Sequence, residues 1–282
     1  MTTIAELIEW GSQQLTESDS ARIDAEIILT FILNQNRTYL YTWSDREVSV
    51  DDEATLKNLI EKRAAGEPVA YLVGQQAFWT FELKVTPATL IPRPETELLV
   101  ELALERIPQN EPLRVADLGT GTGAIALAVA SERPLVEVVA TDQSAHALEI
   151  ARENRQNLGL DHVEFRQGSW LQPLADERFN LIISNPPYVE PDSHYLQKGN
   201  VRFEPDSALI GADGDGLGDI RDIIKKSPDH LIAEGWILLE HGAEQGAAVC
   251  RLLEDAGFEA VKTVTDLAGL DRVTMGRSHK KG

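Results

Sequence analysis

From about residue 95 onward the chain keeps changing its hydrophobic period. Short apolar runs, LRVADL (113–118), VEVVATD (136–142), VEFRQG (163–168), FNLIIS (179–184) and GWILLEHG (235–242), alternate with helical stretches. Those stretches are ETELLVELALERI, AIALAVASE, SAHALEIARENRQNLG, GDIRDIIKKS and EQGAAVCRLLEDAG. Near-continuous apolar strands separated by helices must be covered on both faces, which restricts this part to a mainly parallel sheet between two helical layers. The last two runs, EAVKTVTD and DRVTMGRS, are separated only by LAGL and predict a hairpin that adds an antiparallel edge.

Residues 1–75 read differently. Ile4, Leu7 and Ile8, then Ile23, Ala25, Ile28, Leu29 and Phe31, recur at helical intervals, with Asp19 and Ser20 placed to open the second helix and Asp51 and Asp52 another. In AFWTFELKVTPATLIP (77–92) Trp79, Phe81, Leu83 and Val85 alternate with polar residues, a strand or hairpin signal closed by prolines. The expected organisation is a helical domain (1–75), a β-hairpin linker (76–92) and an α/β domain (93–282).

Several function classes recede on composition. The formal net charge of −20 opposes the long-range attraction that draws proteins onto nucleic acid, so stable DNA binding is not expected. A single cysteine, Cys250, excludes an intrachain disulfide and a multi-cysteine metal site, and the histidines show no metal-ligand spacing, so no metal is expected. No run of 18 apolar residues and no leader-like start occurs, which predicts a cytoplasmic chain that does not enter membranes. A monomer is expected.

The sequence VADLGTGTGAIALAVA sets Gly119, Gly121 and Gly123 between a strand and a helix, where glycine permits positive φ and close approach of a ligand to backbone N–H groups. Thr120 and Thr122 read as loop formers. Read as Gly119-x-Gly121-x-x-Ala124, the loop also fits a dinucleotide fingerprint. Asp117 weighs against that reading, because a carboxylate there repels a pyrophosphate but suits the positive end of S-adenosylmethionine. Asp142, ending the next strand, is placed to accept hydrogen bonds from two ribose hydroxyls, or to cap the following helix. Trp170, with Gly168 and Ser169 after the strand VEFRQG, is placed to pack by an adenine or to be purely structural.

Asn185-Pro186-Pro187-Tyr188 follows the apolar run ending in Ser184. Two prolines stop a strand and stiffen its exit, but one would suffice for that. An amide oxygen on Asn185 and the carbonyl of Pro186 can each accept one N–H of a planar amide or exocyclic amine, leaving its nitrogen facing an electrophilic methyl group while Tyr188 packs on the plane. Catalysis is then alignment, with Asn185, Pro186 and Tyr188 as its residues and Pro187 completing the substrate-binding turn.

With these residues in view, the sequence resembles the class I S-adenosylmethionine-dependent methyltransferases, and more closely the bacterial family that methylates the glutamine N5 amide of peptide chain release factors. The segments FWTFELKVTPATLIPRPETE, DLGTGTG, NPPYVE and VRFEPDSALIGADGDGLGDIR carry the resemblance over nearly the whole chain. It implies an α/β, Rossmann-like methyltransferase sheet with a small amino-terminal helical domain. It implies that Gly119, Thr120, Gly121, Thr122, Gly123, Asp142, Trp170 and Asn185 contact the methyl donor S-adenosyl-L-methionine. Asn185 through Tyr188 would hold the glutamine of a Gly-Gly-Gln tripeptide, with release factors as partners gripped by the helical domain. It also implies that Arg93, Glu95, Thr96 and Glu97 lie near the cofactor and that Glu204 and Pro205 orient a lid. Adenine-N6 methylation of DNA and glutamine methylation of a ribosomal protein use the same NPPY chemistry, and a non-enzymatic scaffold is the remaining class. In GADGDGLGD the acidic spacing lacks the terminal glutamate of a calcium loop and reads as a flexible loop leading into a helix.

Overall fold

The computed structural model describes residues 2–197 and 199–279. It divides into two compact units, residues 1–75 with 199–203, and residues 76–198 with 204–282.

The first unit is built of five helices, α1 (Ile4–Gln14), α2 (Ala21–Leu33), α3 (Arg37–Thr42), α4 (Val50–Ala64) and α5 (Val69–Val73). Thr3 and Glu6 form a reciprocal capping box that starts α1, and Ser49 caps α4 through the Asp52 N–H. Their apolar faces meet in one core that includes Ile4, Leu7, Ile28, Leu29, Leu56 and Ile60. Ile23 and Phe31, expected on the buried stripe of α2, are each 48% exposed. Buried carboxylates take part of that stripe instead. Glu26 accepts from Arg22, Arg37 and Tyr41, and Asp24 pairs with Arg63 at 2.7 Å. Helical periodicity reports where apolar residues fall and cannot reveal a carboxylate whose partners lie on other helices.

At the start of the second unit stands a hairpin of β1 (Gln75–Phe78), whose first residue still belongs to the first unit, and β2 (Phe81–Lys84), followed by a 3₁₀ turn (Pro94–Thr96) and α6 (Glu97–Leu104). There follow β3 (Arg114–Leu118), α7 (Ala124–Glu132), β4 (Glu137–Asp142), α8 (Ala145–Leu158), β5 (Glu164–Gln167) and β6 (Phe179–Ser184). The chain ends through α9 (Asp206–Leu209), α10 (Gly218–His230), β7 (Leu231–Glu240), α11 (Gly246–Asp255), β8 (Phe258–Thr265) and β9 (Asp271–Ser278). These strands form a seven-stranded sheet of order β5-β4-β3-β6-β7-β9-β8. The first five pair in parallel, and β9 joins β7 antiparallel with β8 outermost. The Rossmann-like sheet with an antiparallel edge hairpin is therefore as the sequence predicts.

Alternate side chains serve opposite faces of the sheet. Val115, Leu181, Ile183 and Leu238 pack with α6, α7 and α8, whereas Ala116, Ile182, Ile237 and Leu239 pack with α10 and α11. The strand order reverses at β3, which has β4 on one side and β6 on the other. In such sheets a crevice opens beyond the carboxyl ends of the strands at that reversal. The loops after Leu118, Asp142, Gln167 and Ser184 all leave from this edge. Ile183 is fully buried in the first of the two layers, and Ile183→Ala should lower unfolding stability by about 2–5 kcal/mol, measured by urea denaturation.

Candidate active site

Glycine 119 and glycine 121 are required for different reasons. Both have positive φ, +74° and +55°. A Cβ on Gly119 would lie 2.8 Å from the ring of Trp170, so this glycine lets the indole pack onto the loop, while a Cβ on Gly121 would meet no atom within 4 Å. Gly121 faces open space, the condition under which a ligand can approach the backbone. Gly123 forms the N-cap of α7.

Asp117, expected to meet a ligand, lies under the loop. It is 1% exposed and accepts from the Thr120 hydroxyl at 2.6 Å and the Ala126 N–H at 3.2 Å. Its residue type is explained by loop organisation, and the side chain is absent from the cavity wall. Burial pushes its carboxyl up to about 7, opposed by those two hydrogen bonds. Asp142 does reach the cavity wall. Its two oxygens accept from the N–H groups of Gly121 (2.9 Å) and Ser144 (2.8 Å), while burial raises its pKa against them. The helix cap is Ser144, whose side chain accepts from the Ala147 N–H, and not Asp142.

Two cavities open at this edge, and Asn185, Leu90, Arg93 and Ala208 belong to the walls of both. Gly119, Thr120, Gly121, Thr122, Asp142, Trp170 and Pro187 line the first. Pro186 and Tyr188 line the second, with Glu95, Glu240 and Arg272. Ten of the eleven residues expected to contact the donor or the glutamine thus border these two adjoining cavities; Gly123 stands behind them at the helix cap. Asn185 donates from Nδ2 to the Thr96 hydroxyl at 3.1 Å, which commits the amide nitrogen to the protein and leaves Oδ1 as the acceptor for a ligand. Tyr188 donates its hydroxyl to Glu240 at 3.2 Å, and burial beside that carboxyl pushes the phenol well above its ordinary range.

The segment GADGDGLGD, a loop leading into α10 as expected, packs against the Asn185–Tyr188 turn. A Cβ on Gly211 would lie 2.8 Å from the Pro187 carbonyl oxygen and one on Gly216 2.4 Å from that of Tyr188. The Val189 N–H donates to Leu209 and the Gly211 N–H to Val189, while Gln245 Nε2 donates to the Tyr188 carbonyl at 3.0 Å. Asp213 and Asp215 both pair with Arg221. Glu204 holds the segment before α6, accepting from Arg93 and from the Ile91 N–H. Asn154 bonds both Lys84 and the Thr122 carbonyl, tying the hairpin to the glycine loop. Asn154, Gln245, Glu240 and Arg272 escaped sequence reasoning because isolated polar residues in or beside helices and strands carry no local signal of a distant partner.

Comparison with known proteins fits this arrangement. Residues 6–74 match the PrmC N-terminal domain and residues 95–200 the methyltransferase small domain. A release factor glutamine methyltransferase of Xylella fastidiosa is 52% identical over 91% of this chain and 93% of its own length. One from Pseudomonas aeruginosa is 49% identical over 98% and 99%. A crystal structure of a methyltransferase from Pyrococcus furiosus shares the fold at 16% identity and a TM-score of 0.55, covering 79% of this chain and 98% of that one. Among the described residues no helix is long and apolar enough to cross a membrane.

Two outcomes follow from the loop geometry. An unfolded aspartate titrates near 3.8, so between that pH and about 7 the unfolded chain releases a proton that folded Asp117 retains. Asp117 therefore favours folding most below pH 4 and loses that advantage as pH rises to 7. Thermal melting across pH 4–8 should show Asp117→Asn gaining stability relative to the parent up to pH 7 and then running level. Gly211→Ala, whose methyl would stand 2.1 Å from the Gly216 oxygen, should lower the melting temperature by several degrees.

Proposed function

The chain belongs to the release factor glutamine methyltransferase family, and from that premise we propose that it transfers a methyl group from S-adenosyl-L-methionine to the N5 side-chain amide of the glutamine in the Gly-Gly-Gln motif of release factors. The observation that carries this reading is the place of Asn185 in the walls of both cavities. One of those walls is made by the glycine loop and Asp142, the other by Pro186 and Tyr188.

The residues of the first cavity fit the methyl donor. Gly121 leaves the room a Cβ would fill, Asp142 brings a carboxylate suited to vicinal ribose hydroxyls, and Trp170 supplies an aromatic wall. Gly119, Thr120 and Thr122 complete the loop, and Gly123 sets the start of α7 behind it. When bound, the donor supplies a methyl group activated by a positive sulfur.

The chain's own task is alignment. Asn185 Oδ1 and the Pro186 carbonyl accept the two N–H bonds of the glutamine amide, Pro187 stiffens the turn, and Tyr188 limits rotation of the amide plane. Because the amide lone pair is delocalised, fixing the nitrogen toward the methyl carbon replaces activation by a strong base. Alignment of this kind lowers barriers by up to roughly 7–11 kcal/mol in the most favourable cases. Residues 1–75 serve recognition of the release factor, residues 76–92 connect, and residues 93–282 carry the transfer, in a cytoplasmic monomer.

Incubation with methyl-labelled donor and a release factor, followed by fragment mass analysis, should place the label on the glutamine of Gly-Gly-Gln; label confined to RNA, DNA or a ribosomal protein would overturn the reading. Asn185→Ala should lose about a hundredfold or more in kcat while its donor dissociation constant moves by less than about fivefold, as read by single-turnover kinetics and calorimetry.

A further inference from the structure

We infer that Glu240 is a substrate-binding residue whose carboxylate accepts a backbone N–H of the Gly-Gly-Gln segment; the inference rests on the function proposed above. The second cavity then holds the main chain beside the glutamine as well as its side-chain amide.

Other buried carboxylates of this protein are well supplied with donors. Asp24 accepts from Ser18, Ser20 and Arg63, and Glu26 from Arg22, Arg37 and Tyr41. Asp117 takes the Thr120 hydroxyl and the Ala126 N–H, and Glu204 takes Arg93 and the Ile91 N–H. Glu240 is as deeply buried, at 1% exposed, yet its Oε1 accepts only the Tyr188 hydroxyl, and its Oε2 has no hydrogen-bond partner among the described residues. A buried carboxylate short of donors is costly, because water does not make up the difference.

The position of Glu240 supplies a reason for that cost. None of the other buried carboxylates borders either cavity, whereas Glu240, at the end of β7, stands in the wall of the second. The cations of that wall are engaged elsewhere, Arg93 with Glu204 and Arg272 with Asp266 at 3.1 Å. Its other charged residue, Glu95, is exposed and adds a further acceptor. The donor that completes Glu240 therefore comes with the ligand.

The substrate has few donors to give. Asn185 Oδ1 and the Pro186 carbonyl take the two N–H bonds of the glutamine side chain, so those left within Gly-Gly-Gln are backbone N–H groups. A carboxylate recessed in a wall is reached by a slim donor, and main chain bordered by glycine has no side chain to keep it away. Tyr188 binds the same carboxylate, which sets this contact beside the place where the amide plane is held.

The test uses the full-length enzyme, its Glu240→Gln variant, and release factors in which one backbone N–H of Gly-Gly-Gln is replaced by an ester oxygen through incorporation of the matching α-hydroxy acid. Assays run at pH 8, above the value of about 7 to which burial raises Glu240. Glu240→Gln keeps an oxygen for the Tyr188 hydroxyl and loses the second acceptor. Its KM for the release factor should rise about tenfold or more, with kcat and the donor dissociation constant within about threefold of the parent. One of the esters should raise the parent's KM about tenfold or more but that of Glu240→Gln by less than about threefold, because both changes remove the same contact.

A fall in kcat with KM unchanged would confine Glu240 to holding Tyr188. A raised KM in Glu240→Gln with every ester equal to the natural release factor would give its donor to a side chain. Either result overturns the inference, as does equal sensitivity of both enzymes to every ester. If Glu240→Gln fails to fold, the ester series on the parent decides alone, and esters that all keep the natural KM overturn the inference. A parent that leaves the glutamine unmethylated overturns the proposed function; one that methylates it without these KM shifts overturns the Glu240 contact only.

Discussion

Two consecutive prolines remove two backbone donors where β6 leaves the sheet, so the exit at Pro186–Pro187 must be held from outside the strand ladder. The support comes from several directions. Ser184 donates its hydroxyl to the Leu118 carbonyl at 2.6 Å on one neighbouring strand. Gln245, just before α11, donates to the Tyr188 carbonyl, and the backbone around Leu209–Gly211 pairs with Val189. Gly211 and Gly216 permit the close backbone approach; any side chain there would strike the carbonyls of the turn or its brace. The stiffness that makes the turn useful for aligning a planar amide is thus a tertiary property, assembled from segments far apart in sequence.

A buried carboxyl serves each half of the site. Asp117 and Glu240 are each 1% exposed, each ends or nearly ends a central strand, and each receives a hydroxyl, that of Thr120 in one case and that of Tyr188 in the other. Burying a carboxyl is expensive, which is why both are pushed up to about 7. In return Asp117 holds the Thr120 hydroxyl and Glu240 the Tyr188 hydroxyl. Asp117 shapes the glycine loop from beneath, and Glu240 stands in the wall of the second cavity.

The amino-terminal unit follows a related logic on a separate core. Glu26 and Asp24 are buried on α2 and are satisfied by Arg22, Arg37, Tyr41 and Arg63. Breaking any one of these leaves a buried carboxylate without full compensation, which is costly. Ile23 and Phe31 are correspondingly left half-exposed on the outside of α2.

Much of this protein could be read in one dimension. Alternating periods specified the strands and helices around β3, α7, β4 and β6, because apolar spacing is a local property that survives folding. Glycines between strand and helix, and the amide-proline-proline-aromatic turn, announced the donor loop and the acceptor turn for the same reason: their backbone demands are written in the residue types. What the sequence could not express is orientation. Asp117 turned beneath its loop, Ser144 took the cap from Asp142, and the glycine-rich segment 211–218 became a brace. Thr96, Glu240 and Arg272, spread across the chain, met around Asn185 and Tyr188. Those outcomes depend on which side chain faces which across the carboxyl edge of the sheet. Only the packed tertiary structure decides that, because a hydrogen bond between positions 96 and 185 leaves no trace in the neighbours of either residue.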